Sequence, residues 1–204
     1  MIDETHTISV GPGGATRAWG LRPDIFIIGK SIGGGIPSGA YGITAEVAAR
    51  VSELAESGAA DIVDVGGVGG TLAGNALSTA AMHATLTQVL TEDAFTRMIA
   101  LCDDYCVGVR AAIEEHGLPW SLVQLGARAE YRFTSPAPRT GSESAAAADD
   151  LLDEYAHLFL SNRGILITPF HNMALMGPDT TADQVARHTD VFAQMCATLV
   201  GRSV

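Results

Sequence analysis

The sequence predicts an α/β protein, because short apolar segments alternate with longer helical ones along its 204 residues. Residues 24–29 include four successive apolar side chains, largely β-branched, which is typical of a buried strand. Residues 92–115 follow a helix period behind Thr91, a good N-cap residue, and residues 181–199 predict a terminal helix. The 23 glycines indicate tight turns rather than low complexity.

Local signals place the remaining elements of the first half. Two further strands are predicted at residues 1–4 and 40–43, separated by a glycine- and proline-bearing loop at residues 5–19. Thr44 precedes a helix with an acidic first turn, which makes it a helix N-cap. Small side chains along residues 75–90 predict a helix that can pack closely against a neighbour.

The second half reads as a smaller α+β arrangement. Residues 122–134 alternate as a strand does, and a loop follows at residues 135–142. An amphipathic helix is predicted at residues 149–163, closed by Gly164, because glycine tolerates a left-handed cap. Residues 165–170 then predict a strand.

We therefore expect two domains, residues 1–105 and residues 106–204, with the boundary in or just after the long helix. Residues 53–65 predict an exposed, variable stretch.

Charge and cysteine content narrow the function classes. A net charge of −11 argues against binding to nucleic acid or to anionic membrane surfaces. The three cysteines include no C-x-x-C pair, so we expect reduced, packed thiols in a cytoplasmic protein and no metal site. No signal peptide or membrane-spanning run is recognised.

Lys30 is the first candidate functional residue. It directly follows the apolar strand, and a glycine-dense loop follows it, through which backbone could approach a ligand. The chain has only twelve lysines and arginines, and a desolvated lysine at a strand end is a candidate amine nucleophile for Schiff-base chemistry. The alternative is an ordinary surface lysine at a strand end.

A phosphate-binding P-loop does not explain Lys30. The residues Gly29-Lys30-Ser31 match the end of G-x-x-x-x-G-K-[ST], but the required first glycine is Asp24. The four residues between them are strand formers rather than loop formers.

Three segments, in order, resemble one family. Residues 29–42, G-K-S-I-G-G-G-I-P-S-G-A-Y-G, resemble the lysine segment of class III pyridoxal-phosphate aminotransferases, with most similarity to the glutamate-1-semialdehyde aminomutase-like branch. Residues 3–7, D-E-T-H-T, resemble the family's D-E-x-x-T strand end. Residues 70–77, G-T-L-A-G-N-A-L, resemble its G-T-x-x-G-N-P-L segment, with alanine replacing proline.

The resemblance implies a role for each matching residue. Lys30 would carry pyridoxal 5'-phosphate as a Schiff base and move a proton during catalysis. Asp3 would hold the pyridine nitrogen, and Thr5 would lie against the cofactor ring. Thr71, with Gly70, would bind the phosphate of a neighbouring subunit's cofactor. Without the resemblance, Asp3 would be an acid that caps a turn and Thr71 a helix N-cap.

The resemblance also implies a fold and partners. We expect a fold type I pyridoxal-phosphate transferase, present as the second half of the large mixed or parallel-sheet domain plus the small C-terminal α+β domain. The partners would be an amino donor, a carbonyl acceptor and a second copy of the chain, with the site at the subunit interface. A non-catalytic fragment is the alternative of a different class.

Specificity signals are weaker. Arg128, Arg132 and Arg139 are candidates for a clamp on a substrate carboxylate, although such arginines are usually surface ion-pair partners. His171 and Asn172 stand where the aminomutases commonly have a glutamate, so we prefer an aminotransferase and keep the aminomutase as the alternative. The other histidines show no ligand spacing and are interpreted as ordinary: His6, His83, His116, His157 and His188.

Overall fold

A computed structural model of the chain describes residues 1–58, 69–168 and 171–201. It forms two compact units, Met1–Glu92 and Asp93–Val204. The predicted domain boundary at residue 105 falls inside the first helix of the second unit, and it stays a prediction.

The first unit is built on a three-stranded mixed sheet. Its strands are β1 (Ile2–Asp3), β2 (Ile25–Gly29) and β3 (Gly39–Ile43), in that spatial order. Strands β1 and β2 run parallel, with Asp3 opposite Ile27, whereas β2 and β3 pair antiparallel through the glycine loop. All three strands agree with the sequence prediction.

The helices of the first unit lie at the surface. They are α1 (Gly14–Ala18), α2 (Ala45–Glu56) and α3 (Ala76–Ala84), and a π-helical turn at Thr85–Val89 continues α3. Neither α2 nor α3 buries any of its residues. Thr44 caps α2 as predicted, because its hydroxyl accepts from the Val47 amide at 3.4 Å.

The predicted loop at residues 5–19 is in part helical. It contains a 3₁₀ turn at Thr7–Val10 as well as α1, and both are short enough to escape a periodicity argument. The predicted exposed stretch at residues 53–65 begins inside α2, and its residues 59–65 lie outside the described part of the chain.

The second unit combines a three-stranded antiparallel sheet with four helices in its described residues. The strands are β4 (Ser121–Leu125), β5 (Arg128–Arg132) and β6 (Met173–Leu175), in that order. The helices are listed along the chain as α4 (Glu92–Glu115), α5 (Gly141–Ala146), α6 (Asp150–Ser161) and α7 (Ala182–Leu199).

Local capping chemistry explains the helices that the sequence predicted well. The Asp149 carboxylate accepts from two amides at the start of α6, each at 3.1 Å. Thr181 and Gln184 form a reciprocal capping box at the start of α7. Gly164, with φ 74°, occupies the left-handed conformation expected after α6.

Two strand predictions in the second unit were wrong. The single strand predicted at residues 122–134 is a hairpin, β4 and β5, which turns at Gly126 with φ 59°. Residues 165–168 have no regular structure, and residues 169–170 lie outside the described part. The third strand of this sheet is β6 instead.

An aromatic cluster forms the core of the second unit. Trp120 stacks on Tyr131 with 5.7 Å between ring centroids, and Phe192 packs against Tyr131 at 5.2 Å. Long helix α4 adds buried side chains, including Tyr105 and Cys102. No helix in the described residues is long and apolar enough to cross a membrane.

Candidate active site at the end of strands β1 and β2

The parallel pairing of β1 and β2 brings two predicted site residues to one edge of the sheet. The Glu4 amide donates to the Ile27 carbonyl at 2.8 Å, which extends the β1–β2 ladder by one step. Asp3 ends β1 and Lys30 follows β2, so both leave the sheet at the carboxyl ends of their strands. Open α/β sheets bind ligands at that edge.

Asp3 is oriented and held ionised by its own turn. Its Oδ1 accepts from the Thr5 amide at 2.8 Å and from the Thr5 hydroxyl. These hydrogen bonds from Thr5, followed by the nearby charges of Lys30 and His6, lower the pKa of the Asp3 carboxyl. Asp3 therefore caps a turn, as its alternative interpretation predicted, and presents an exposed carboxylate at the sheet edge.

Lys30 combines exposure with an unusual backbone conformation. Its φ is 50°, and it is the only non-glycine residue with positive φ in the described part of the chain. Such strain is most common at functional sites. The side chain is exposed, so the desolvation expected from the sequence is not provided by the described residues.

The Lys30 side chain ends beside His6. Lys30 Nζ lies 2.7 Å from His6 Nε2, a hydrogen-bond distance. His6 was interpreted as ordinary from the sequence, because the histidines show no ligand spacing. That criterion does not consider which strands pair in the fold. The signal available was the position of His6, three residues after the end of the strand that pairs with β2.

One further signal was missed in the sequence: Lys30 is the only lysine among the 204 residues. Any chemistry that needs a lysine amine in this chain must therefore use it.

The buried Glu4 anchors the segment that carries Thr5 and His6. Its side chain is fully buried and accepts from the Thr7 hydroxyl and from the amides of Ala15 and Thr16. Burial alone would raise the pKa of Glu4, but these hydrogen bonds outweigh burial and lower it. The carboxylate thereby ties the residues after β1 to the start of α1.

The glycines after Lys30 are required partly by packing. A Cβ on Gly33 would lie 2.7 Å from the Ser38 hydroxyl, and one on Gly34 would lie 2.6 Å from the Thr85 hydroxyl. At these two positions the space beside the glycine is filled by side chains of the protein itself, whereas the sequence suggested that a ligand would approach there. Gly35, in contrast, faces open space.

Gly70 and Thr71 lie in exposed turns before α3. Gly70 has φ 76°, and its carbonyl accepts from the Ala73 amide at 3.1 Å. None of the hydrogen bonds described for Asp3 and Lys30 reaches Thr71. The N-cap interpretation of Thr71 was wrong, since Asn75 caps α3 by accepting from the Ser78 amide at 3.0 Å.

The candidate arginines all lie in the second unit. Arg132 pairs with Glu130 at 3.1 Å, and Arg128 donates to the Met173 sulfur at 3.4 Å. The Arg139 amide donates to Glu143. His171 also pairs with Glu130, with 3.4 Å between its Nδ1 and the carboxylate oxygen.

A metal centre is not assembled by the residues that the structure describes, where no group of three or more histidines, cysteines or acids could hold an ion. The three cysteines are buried in the second unit.

Comparison with known proteins identifies the family. The chain belongs to the class III aminotransferases, whose family model matches residues 1–194. The family resemblance noted in the sequence is thereby confirmed, and so is the fold type of these enzymes.

Particular relatives fall in two groups by activity. A glutamate-1-semialdehyde 2,1-aminomutase from Anaeromyxobacter dehalogenans is 30% identical over 188 residues, which cover 92% of this chain and 41% of that protein. A crystal structure of a glutamate-1-semialdehyde aminomutase from Pseudomonas aeruginosa PAO1, in complex with PMP, is 46% identical with a TM-score of 0.91. It covers 97% of this chain and 44% of its own.

The second group consists of transaminases. An ω-transaminase from Sphaerobacter thermophilus is 26% identical with a TM-score of 0.75, covering 95% of this chain and 43% of its own. The chain thus spans about two fifths of the length of the relatives it matches.

Proposed function

We propose that this chain supplies the lysine-bearing part of a pyridoxal 5'-phosphate-dependent aminotransferase, which moves an amino group between an amino acid and a keto acid or aldehyde. The observation that carries the proposal is the position of Lys30. The only lysine of the sequence stands at the strand edge next to an ionised carboxylate, in a chain of the class III family.

The residues at this edge fit the proposed cofactor. Pyridoxal phosphate supplies an aldehyde that reacts with amines and a pyridine ring that accepts electrons. An exposed lysine amine suits the aldehyde, and a carboxylate held ionised suits a protonated ring nitrogen. Lys30 and Asp3 provide these two groups from neighbouring strands.

Each chain residue then has a defined task. Lys30 Nζ would hold the cofactor covalently and would then carry a proton within the site. Asp3 would pair with the ring nitrogen, and Thr5 fixes the orientation of Asp3 through its two hydrogen bonds. Gly70 and Thr71 bind the phosphate of a neighbouring subunit's cofactor, as the family resemblance implies, and both residues are exposed.

This assignment implies a homodimer in the cytoplasm. The phosphate contact would join two subunits at each site, and the buried free thiols are typical of a reducing compartment. The small-molecule partners would be an amino donor and a carbonyl acceptor.

An aminomutase is the second candidate, since the most similar proteins reported above are named glutamate-1-semialdehyde aminomutases. An aminomutase rearranges one substrate, whereas a transaminase needs a donor and an acceptor. Incubation with glutamate-1-semialdehyde alone therefore separates the two activities, and a panel of amino donors with a keto acid tests the first. Neither product would form if the chain is a non-catalytic fragment.

The first experiment tests cofactor attachment. The chain is titrated with pyridoxal phosphate, reduced with borohydride and mapped by mass spectrometry. We expect an absorbance band near the visible edge and an adduct on Lys30 that disappears in Lys30→Ala. A folded chain that acquires adducts only on its terminal amine would contradict the proposal.

A further inference from the structure

We propose that His6 is the proton-accepting partner of Lys30, so that the pair activates the amine for bond formation to a carbonyl carbon. The proposal rests on the proposed function, in which Lys30 acts as a nucleophile. It adds a residue that the sequence interpretation had set aside.

The geometry places His6 at the reacting atom. Lys30 Nζ and His6 Nε2 lie 2.7 Å apart, and both side chains are exposed, so a carbonyl compound can reach the amine. A general base must lie within about 2.6–3.2 Å of the heavy atom whose proton it removes. His6 meets that condition.

The position of His6 is set from both sides in the sequence. The preceding residue, Thr5, is bound to the Asp3 carboxylate, and the following residue, Thr7, donates its hydroxyl to the buried Glu4. The His6 carbonyl also accepts from the Ser9 amide at 3.4 Å, at the start of the 3₁₀ turn. The imidazole therefore projects from a backbone fixed by two carboxylates.

Asp3 stabilises the positive charge of the pair both before and after the proton transfer. Asp3 interacts electrostatically with both Lys30 and His6, so a positive charge stays close to a carboxylate whichever nitrogen holds it. The Glu4 carboxylate accepts hydrogen bonds from Thr7, Ala15 and Thr16. On strand β3, the titratable residue is Tyr41. Asp3 is thus the charged partner that the pair shares.

The chemical step is balanced within the pair and the carbonyl compound. In its ammonium form Lys30 donates a hydrogen bond to neutral His6 Nε2. Nζ gives that proton to His6 and forms a bond to the carbonyl carbon, while the carbonyl π electrons move to oxygen. The oxygen takes the proton held by His6 and a second proton from Nζ, and it leaves as water. Nζ keeps its third hydrogen on the carbon–nitrogen double bond, and His6 is neutral again.

The test uses the 204-residue chain without pyridoxal phosphate. Salicylaldehyde, which has no phosphate, is added with cyanoborohydride at pH 7.5, and trapped adducts are mapped by mass spectrometry. Because the sequence has a single lysine, labelling of Lys30 can be measured against the Met1 α-amine in the same molecule. That ratio cancels differences in reagent and protein concentration.

Three variants separate chemistry from structure. We expect His6→Gln, which keeps a hydrogen-bonding side chain but no base, to lower the Lys30-to-Met1 labelling ratio about 100-fold, the lower end of general-base contributions. His83→Gln, an exposed histidine on α3, should leave the ratio unchanged. Added imidazole should restore labelling in His6→Ala, since it can enter the vacated space and accept the proton.

Each outcome decides the proposal. Equal ratios in the unmodified chain and His6→Gln would overturn it, and so would a loss in His6→Ala that imidazole does not restore, since that result indicates a positioning effect alone. The proposed function fails separately, if pyridoxal phosphate gives no Lys30 adduct while the salicylaldehyde results hold. A Lys30 adduct with pyridoxal phosphate that forms equally well in His6→Gln would leave the function standing and remove His6 from it.

Discussion

The two units of the chain are stabilised in different ways. In the second unit, Phe192 is fully buried and contacts Trp120, Tyr131 and His188 through their rings. In the first unit, the largest fully buried side chains are Ile32 and the charged Glu4, while Tyr41 and Ile43 on β3 are 48% and 40% exposed. The unit that carries the candidate site thus depends on a polar anchor, and the other unit on an apolar core.

This difference has a functional reason in the proposed enzyme. A reactive lysine and a carboxylate must be accessible, so they lie at a sheet edge with little apolar cover. The sheet of the first unit is small, strand β3 is exposed along its length, and helices α2 and α3 bury none of their residues. Apolar side chains left uncovered in this way are typical of surfaces that contact another chain or domain.

The largest effect is expected from Phe192→Ala. Removing this ring from the aromatic cluster should lower the free energy of unfolding of the second unit by about 3–5 kcal/mol. Urea denaturation followed by Trp120 fluorescence measures it in a Trp19→Phe background, because the two tryptophans lie one in each unit. Leu151→Ala, at a side chain 79% exposed, is the control and should change little. A small loss in Phe192→Ala would mean that the cluster is not the stabilising core.

The next effect is acid destabilisation of the second unit through His188. Burial between Tyr105 and Phe192 lowers the pKa of His188 to about 4, whereas the pKa of the unfolded residue is about 6.5. Between these values the unfolded state binds more protons, so the free energy of unfolding falls as the pH falls, by about 3 kcal/mol in total.

His188→Phe keeps the aromatic stack and should flatten this pH dependence in the same Trp120 assay. The first unit should respond only at lower pH, because the pKa of Glu4 lies below its ordinary value and its stabilising charge is lost as the pH falls through that pKa. An unchanged slope in His188→Phe would assign the acid sensitivity to another group.

A smaller effect is expected at Glu4, the polar anchor of the first unit. Gly14 and Gly20 are two positions of matched backbone conformation at which it can be tested. Gly14 and Gly20 have φ 63° and 62°, so alanine is strained at both positions. Only at Gly14 would the added Cβ meet another group, the Glu4 carboxylate at 2.3 Å. Gly14→Ala should therefore cost about 1–3 kcal/mol more than Gly20→Ala.

Hydrogen exchange of the amides at residues 14–18 measures that difference, since Ala15 and Thr16 donate to Glu4. Equal exchange in the two variants would show that Glu4 does not hold this segment in place.

The parts of the fold that the sequence predicted are those determined locally. Thr44, Asp149 and Thr181 cap their helices through groups within three residues, so each helix start is visible in the sequence. The hairpin at Gly126 was missed because the alternation continues on both sides of the turn. Strand β6 was missed because a three-residue strand is defined by its pairing with β5 and not by its own pattern.

The candidate site divides in the same way. Lys30 was predicted from its position after an apolar strand and from a family resemblance, and Asp3 from the resemblance alone. His6 was not found, because its distance to Lys30 follows from the register of β1 on β2, which pairs residues 24 positions apart in the sequence. Nor could the sequence indicate that Ser38 and Thr85 occupy the space beside Gly33 and Gly34.

The distribution of reactive side chains gives each unit its own reporter. Cys102, Cys106 and Cys196 are all in the second unit and at most 1% exposed, while the only lysine is exposed in the first unit. A thiol reagent can therefore modify the chain only when the second unit opens. An amine reagent modifies Lys30 in the first unit and no lysine in the second. The opening of one unit and the chemistry of the other can be recorded together, in one sample, without introducing a label.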